Sequence, residues 1–234
     1  METVLEVKDL TKTFVTEEKA DFTAIDHINF QLFQGETLGI VGESGSGKST
    51  LARAITRLTD ATEGTISLCG KDITREKGKK LREAYKNIQM IFQNPVSSFD
   101  PRKSLGHGIG ESLRNSGVPK AEAKKRVVEL LGQCGLGEEF YDRYPHEVSG
   151  GQCQRAAIAR ALAVEPKIVI CDEATSALDV TVQQQIMELL DSFRKEHQIS
   201  YLFICHNLAL VQQFCDRVLV MKDGRIVEEG TPDE

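Results

Sequence analysis

Several common chemistries are excluded by what the chain lacks. Its six cysteines, Cys69, Cys134, Cys153, Cys171, Cys205 and Cys215, form no CxxC pair and have no partnering histidine spacing. Neither a zinc site nor a dithiol redox centre is therefore expected, only buried single thiols. There is no excess of positive charge: 29 Lys and Arg stand against 35 Asp and Glu, a net charge of −6. Nothing general draws such a chain to a nucleic-acid backbone or an acidic lipid surface, so no nucleic-acid partner is expected. No apolar run approaches the ~18 to 20 residues that span a bilayer. No signal-peptide pattern opens the sequence, and a chain soluble by itself is expected. Internal repeats, low-complexity tracts and long coiled-coil patterns are absent as well.

What is present suits a folded domain. The 234 residues are 40% hydrophobic, enough to bury a large interior. Extended segments fill the first third, around "VLEVKDL", "IDHINFQLF", "TLGIV" and "GTISLCG", separated by Gly and charged turns. A short apolar strand, "IQMIF", follows near residue 90. From about residue 94 to 165 the pattern becomes helical, most clearly in "KAEAKKRVVELLGQC" with its 3.6-residue apolar spacing. Strands and helices then alternate: "KIVICDE", "VQQQIMELLDSFRKE", "SYLFICH", "LALVQQFC", and a strand pair turning at Asp223 and Gly224. Apolar strands alternating with helices imply a parallel sheet covered on both faces. The expected architecture is α/β: a core formed by 1–93 and 166–234, with an N-terminal antiparallel β subdomain and an inserted α-helical lobe (94–165). A further helix is expected to start at Thr231, with Pro232 at its first position and Glu234 as capping partner.

"GESGSGKST" matches the G-x-x-x-x-G-K-[ST] pattern between an apolar strand and a helix, where that pattern binds phosphate. The stretch is Gly42, Glu43, Ser44, Gly45, Ser46, Gly47, Lys48, Ser49 and Thr50. Glycines let backbone N–H groups close on phosphate oxygens, Lys48 reaches the β- and γ-phosphates, and the Ser49 hydroxyl ligates Mg²⁺. The strand "KIVICDE" ends in two carboxylates. Asp172 suits the magnesium shell, and Glu173 suits a proton acceptor for an attacking water. A second glycine pair, in "VSGGQCQR" (148–155), marks a helix N-terminus able to hold an anion.

With Phe14, the loop 42–50, Gln93 in "IFQNP", "VSGGQ", "CDE", "SALD" and His206 in this order, nearly the whole chain resembles the ATP-binding subunit of an ABC transporter. That resemblance implies a head-to-tail ATPase dimer in which one subunit's signature closes over ATP held by the other. Ser149, Gly150, Gly151 and Gln152 would then face the partner's γ-phosphate. Phe14, or its neighbour Phe22, would stack on adenine. Gln93 would contact magnesium and the attacking water, Asp179 would cross the dimer or cap its helix, and His206 would hydrogen-bond the γ-phosphate. Three departures are visible: Val148 replaces the usual Leu, Asn207 the usual Asp, and Cys153 the arginine or other long residue common in the peptide and nickel importers.

"FQNPVSSFDPRKS", "YPHEVSGGQCQR" and "CDEATSALDV" resemble the second of two ATPases in oligopeptide, dipeptide and nickel importers. The implied cofactors are ATP and Mg²⁺. The implied partners are transmembrane permease subunits, a paralogous ATPase or a second copy, and indirectly a solute-binding protein, at the cytoplasmic face of the membrane. Soluble ABC ATPases of DNA repair or translation, exporter subunits and small-molecule kinases are the alternatives. Single-cassette length, the lack of coiled-coil arms and "VSGGQ" weigh against the first and last of these.

Overall fold

A computed structural model describes residues 2–15, 21–175 and 178–233. The first sheet is antiparallel. Strands β1 (Thr3–Val15) and β2 (Asp21–Phe33) form a long hairpin, and β4 (Glu63–Leu68) and the short β5 (Lys71–Asp72) continue it in the order β2-β1-β4-β5. The second sheet contains β3 (Thr37–Gly42), β6 (Ile88–Ile91), β7 (Ile168–Asp172), β8 (Ser200–Ile204) and β9 (Arg217–Lys222), all parallel to their neighbours. β10 (Arg225–Gly230) adds to it antiparallel, giving the order β10-β9-β3-β8-β7-β6. The hairpin between β9 and β10 turns at Asp223 and Gly224, both at positive φ (49° and 78°), the geometry of a two-residue hairpin turn.

Between β3 and β4 lies α1 (Lys48–Ile55), and α2 (Gly78–Ala84) precedes β6. Between β6 and β7 the described elements are all helical, namely α3 (Leu105–Ile109), α4 (Glu111–Asn115), α5 (Lys120–Gln133), α6 (Gly150–Leu162) and short 3₁₀ turns. α7 (Val180–His197) and α8 (Leu208–Phe214) flank β8. Several helices start on a side-chain cap: Ser104 accepts from His107 N–H, Ser149 from Gln152 N–H, Asp179 from Val182 N–H and Asn207 from Ala209 N–H. Among the described residues no helix is long and apolar enough to cross a membrane.

The central strands divide the interior in two by their two-residue period. Leu38, Ile40, Ile168, Ile170, Leu202 and Ile204 face a core shared with the antiparallel sheet and α1. Val41, Val169, Cys171, Tyr201 and Phe203 face the opposite core, shared with α7, α8 and the helices between β6 and β7. The helical region is continuous with this second core, because Ile158, Ala159 and Leu162 of α6 are buried in it. Two expectations differ from the structure. β1 and β2 run well past their apolar stretches, because alternating Thr and Phe residues extend the ladder to Val15 and Asp21. Thr231 and Pro232 are not helical, and Pro232 and Asp233 form a turn. Glu234, the expected capping partner, lies outside the described residues.

Candidate active site

β3 delivers the chain into the glycine loop and α1 leads it away. Gly42, Gly45 and Gly47 all take positive φ, at 152°, 84° and 102°, which a side chain would resist. A Cβ on Gly42 would fall 2.1 Å from Met221 O, and one on Gly47 2.3 Å from Ala24 O. The loop is therefore pressed from behind by β9 and β2. The turn at Gly224 adds a brace, its N–H donating to Ser46 O at 3.1 Å. In front the loop is open: Glu43, Ser44 and Gly45 are exposed, and a Cβ on Gly45 would meet nothing within 4 Å.

Lys48 begins α1 with its ammonium curled into the loop. Nζ donates to Gly42 O (2.8 Å), Glu43 O (2.7 Å) and Ser46 Oγ (3.3 Å). Burial pushes this ammonium below its ordinary pKa, while the nearby charges of Glu173 and Asp172 pull the other way. Ser49 follows and donates its hydroxyl to Asp172 Oδ1 at 2.9 Å, 123 residues along the chain. Thr50 is half-buried on the same helical turn. Burial raises the Asp172 carboxyl above the usual carboxylate range, opposed by the Ser49 hydrogen bond.

Asp172 closes β7, and Glu173 then adopts φ 50°, a left-handed conformation unfavourable for a residue with a Cβ. Its N–H is held by Ile204 O at 3.1 Å. The turn sends the two adjacent carboxylates to different partners. Asp172 meets Ser49, whereas Glu173 meets Gln93 and His206. Gln93 Nε2 donates to Glu173 Oε2 at 2.6 Å, and His206 Nε2 pairs with Glu173 Oε1. Gln93 stands just beyond β6 and His206 just beyond β8, so the carboxyl ends of three parallel strands converge. Gln93, expected at the cation as well as the water, has its amide nitrogen on the Glu173 side.

The donor set fits a magnesium-bound nucleoside triphosphate. The loop offers N–H groups and an ammonium to phosphate, and Ser49 and Asp172 are hard oxygen donors of the kind Mg²⁺ takes, one or two from protein and the rest from phosphate and water.

The other expected residues lie apart from this cluster. Ser149 and Gly150 are exposed, and Ser149 and Gln152 form a reciprocal capping box (Gln152 N to Ser149 Oγ 3.3 Å, Ser149 N to Gln152 Oε1 2.9 Å). A Cβ on Gly151 would meet Val182 of α7 at 3.0 Å, so the signature packs beside the start of α7, which Asp179 caps. Ser176 and Ala177 of "SALD" lie outside the described residues. Phe14 and Phe22 are directly paired across β1 and β2, 40% and 57% exposed, so neither is a core residue. Lys12 Nζ lies 4.8 Å from the Phe14 ring centroid. Cys153 is fully buried in α6, and His27, His107, His146 and His197 are exposed and away from the strand ends.

The family model described as "ABC transporter" matches residues 25–176. The oligopeptide transport ATP-binding protein OppF of Haemophilus influenzae is 47% identical over 98% of this chain and 72% of its own length. OppF of Bacillus subtilis is 46% identical over 100% of this chain and 77% of its own. The di/tripeptide transport ATP-binding protein DppF of Pseudomonas aeruginosa is 41% identical over 100% and 74%. Among solved structures, the dimeric ATP-binding cassette MJ0796 in a post-hydrolysis state with ADP and Pi superposes with a TM-score of 0.88 at 30% identity, covering 97% of this chain and 98% of its own. The cbiO1 chain of Clostridium perfringens, part of the ABC transporter complex cbiONQ, gives 0.84 at 31% identity, covering 100% and 90%.

Proposed function

The chain belongs to the ABC transporter family, and from that membership we propose that it is the ATP-hydrolysing subunit that drives a peptide importer, working as one half of an ATPase dimer on membrane permease subunits. The observation that carries the hydrolytic reading is the convergence of Gln93, Glu173 and His206 beside the Ser49 and Asp172 pair at the mouth of the glycine loop.

Bound Mg-ATP would supply an electrophilic γ-phosphorus, with the cation and loop neutralising the charge on the phosphate oxygens. Lys48 would exchange its loop carbonyls for phosphate oxygens, and Ser49 with Asp172 would hold the cation. Glu173 accepts the proton of the attacking water, with Gln93 fixing one carboxylate oxygen and that water's position. His206, paired with Glu173, would donate a hydrogen bond to the γ-phosphate. Phe14, with Phe22 beside it, offers an exposed aromatic face to adenine.

The open front of the loop favours a dimer. Nothing described in this chain roofs Glu43, Ser44 and Gly45, and exposed Ser149 and Gly150 at a helix N-terminus suit a phosphate on a facing subunit. The dimeric state of the MJ0796 neighbour supports this arrangement. The partner is a paralogous ATPase or a second copy, and a solute-binding protein acts upstream of the permease. The names of the OppF and DppF relatives support peptides as the solute and lend none to nickel. A location on the cytoplasmic face, peripheral to the membrane, follows from the proposed role.

Steady-state ATP hydrolysis tests the central claim. Glu173→Gln is expected to bind ATP with near wild-type affinity and to hydrolyse it at least about a hundredfold more slowly, because the amide accepts no proton. Wild-type turnover by that variant removes Glu173 as the base.

A further inference from the structure

The segment that follows Gln93 is exposed and has little apolar anchorage: Gln93, Asn94, Val96 and Ser97 all face solvent. It becomes fixed at Ser98 and Phe99. There Arg160, one turn from the end of α6, reaches across with Nη1 to Ser98 O (2.6 Å) and Nη2 to Ser98 Oγ (2.9 Å). Its guanidinium carbon lies 4.3 Å from the Phe99 ring centroid. Phe99 is 5% exposed and packs on α3 so closely that a Cβ on Gly108 would approach its ring to 2.8 Å.

This is an unusual use of a cation. Among the described residues Arg160 makes no ion pair, and its acceptors are a carbonyl, a hydroxyl and a ring. Burial shifts its pKa downward, as expected for a charge withdrawn from water. A long apolar side chain would fill the same space without the desolvation penalty, so the guanidinium contributes geometry more than stability. The geometry leads back toward the reaction. Ser98 Oγ donates to Pro95 O at 2.7 Å and Ser98 N to the same oxygen at 3.2 Å, so a rigid turn joins the clamp to the residue two places from Gln93. In the other direction α6 runs as one helix from Arg160 back to its cap at Ser149.

We propose that Arg160 is a positioning residue for ATP hydrolysis, clamping the segment after Gln93 to α6 so that the reach of Gln93 to Glu173 is set by the position of the helix whose other end carries Ser149. The proposal rests on the reading of Gln93 and Glu173 given above.

The test uses the full chain under conditions where the wild type turns over. Arg160→Met keeps length and packing but removes both hydrogen bonds and the charge on the ring. It is expected to lower kcat about tenfold while ATP affinity by calorimetry stays within about twofold. Ser98→Ala, which removes one acceptor from the other side, is expected to lower kcat by a smaller factor, and Arg160→Lys to restore part of the loss. The decisive readout is epistasis: in a Gln93→Ala background, Arg160→Met is expected to change kcat by less than about twofold, since both act through one group. A full tenfold further loss in that background, or a loss of ATP affinity parallel to kcat, overturns the clamp. Gln93→Ala at the wild-type rate overturns the underlying reading together with it, whereas a slow Gln93→Ala with an additive Arg160→Met overturns the clamp alone.

Discussion

The ammonium of Lys48 rests on the neutral carbonyls of its own loop, at 2.7 and 2.8 Å. Phosphate oxygens replace those acceptors with charged ones, and charge-assisted hydrogen bonds are about twice as strong as neutral ones. Lys48→Ala is therefore expected to weaken Mg-ATP binding at least about tenfold by calorimetry, and unchanged affinity would remove the phosphate cradle from the account. The cysteines give a second check at the same scale. Burial pushes the Cys134 and Cys215 thiols up to about 12 and Cys153 up to about 11, with Cys171 also shifted upward. Only thiolate reacts, so a raised pKa lowers reactivity at neutral pH. A maleimide is expected to label half-buried Cys69 in the folded chain and the five buried cysteines, Cys205 included, only after denaturation. Rapid labelling of Cys134 or Cys171 in the native state would show that the core opens.

Among the elements, α6 joins an observed cap to the anion contact proposed for it, and substitutions at one residue can separate the two. Ser149 caps the helix through its hydroxyl, and its exposed position also suits contact with a facing phosphate. Ser149→Ala is expected to lower stability by about 1 kcal/mol, the usual loss for a removed cap. Ser149→Asp restores a strong cap and places negative charge at a helix N-terminus, so stability is expected to match the wild type. The same carboxylate repels phosphate, and hydrolysis is expected to fall more in Ser149→Asp than in Ser149→Ala. Denaturant unfolding alongside ATPase rates checks both halves. If activity follows stability across the two variants, the anion-contact role of Ser149 fails and only the cap remains.

For the whole molecule the open loop has a direct consequence. In the proposed mode of binding, a loop with Glu43, Ser44 and Gly45 in solvent would leave the γ-phosphate uncovered, and a second surface would have to exclude bulk water before hydrolysis is efficient. Glu173→Gln with ATP is expected to shift the chain from monomer to dimer in light scattering, either alone or only on adding a paralogous ATPase. Removal of Mg²⁺ is expected to change the yield of this closed form. A chain that stays monomeric with ATP in both mixtures would contradict assembly through the signature.

The phosphate loop, the adjacent carboxylates and the signature glycines were legible along the chain because each is local: loop, strand end and helix start impose their residue types within a few positions. The Asp223 and Gly224 turn and the alternation of buried strands with helices were legible for the same reason. What lay outside that reach was the placement of groups distant in sequence. Whether Gln93 lies on Glu173 depends on β6 pairing in register with β7, and the contact with His206 depends on β7 pairing with β8. No local pattern encodes such register, because hydrogen bonds between parallel strands follow from how both faces of the sheet pack. The extended arm that pairs Phe14 with Phe22 was missed because its exposed Thr and Phe residues show no apolar stripe. The hold of Arg160 on Ser98 and Phe99 spans 62 residues. It exists only because α6 folds across the segment after β6, a placement decided by shared burial in one core and not by anything at either position alone.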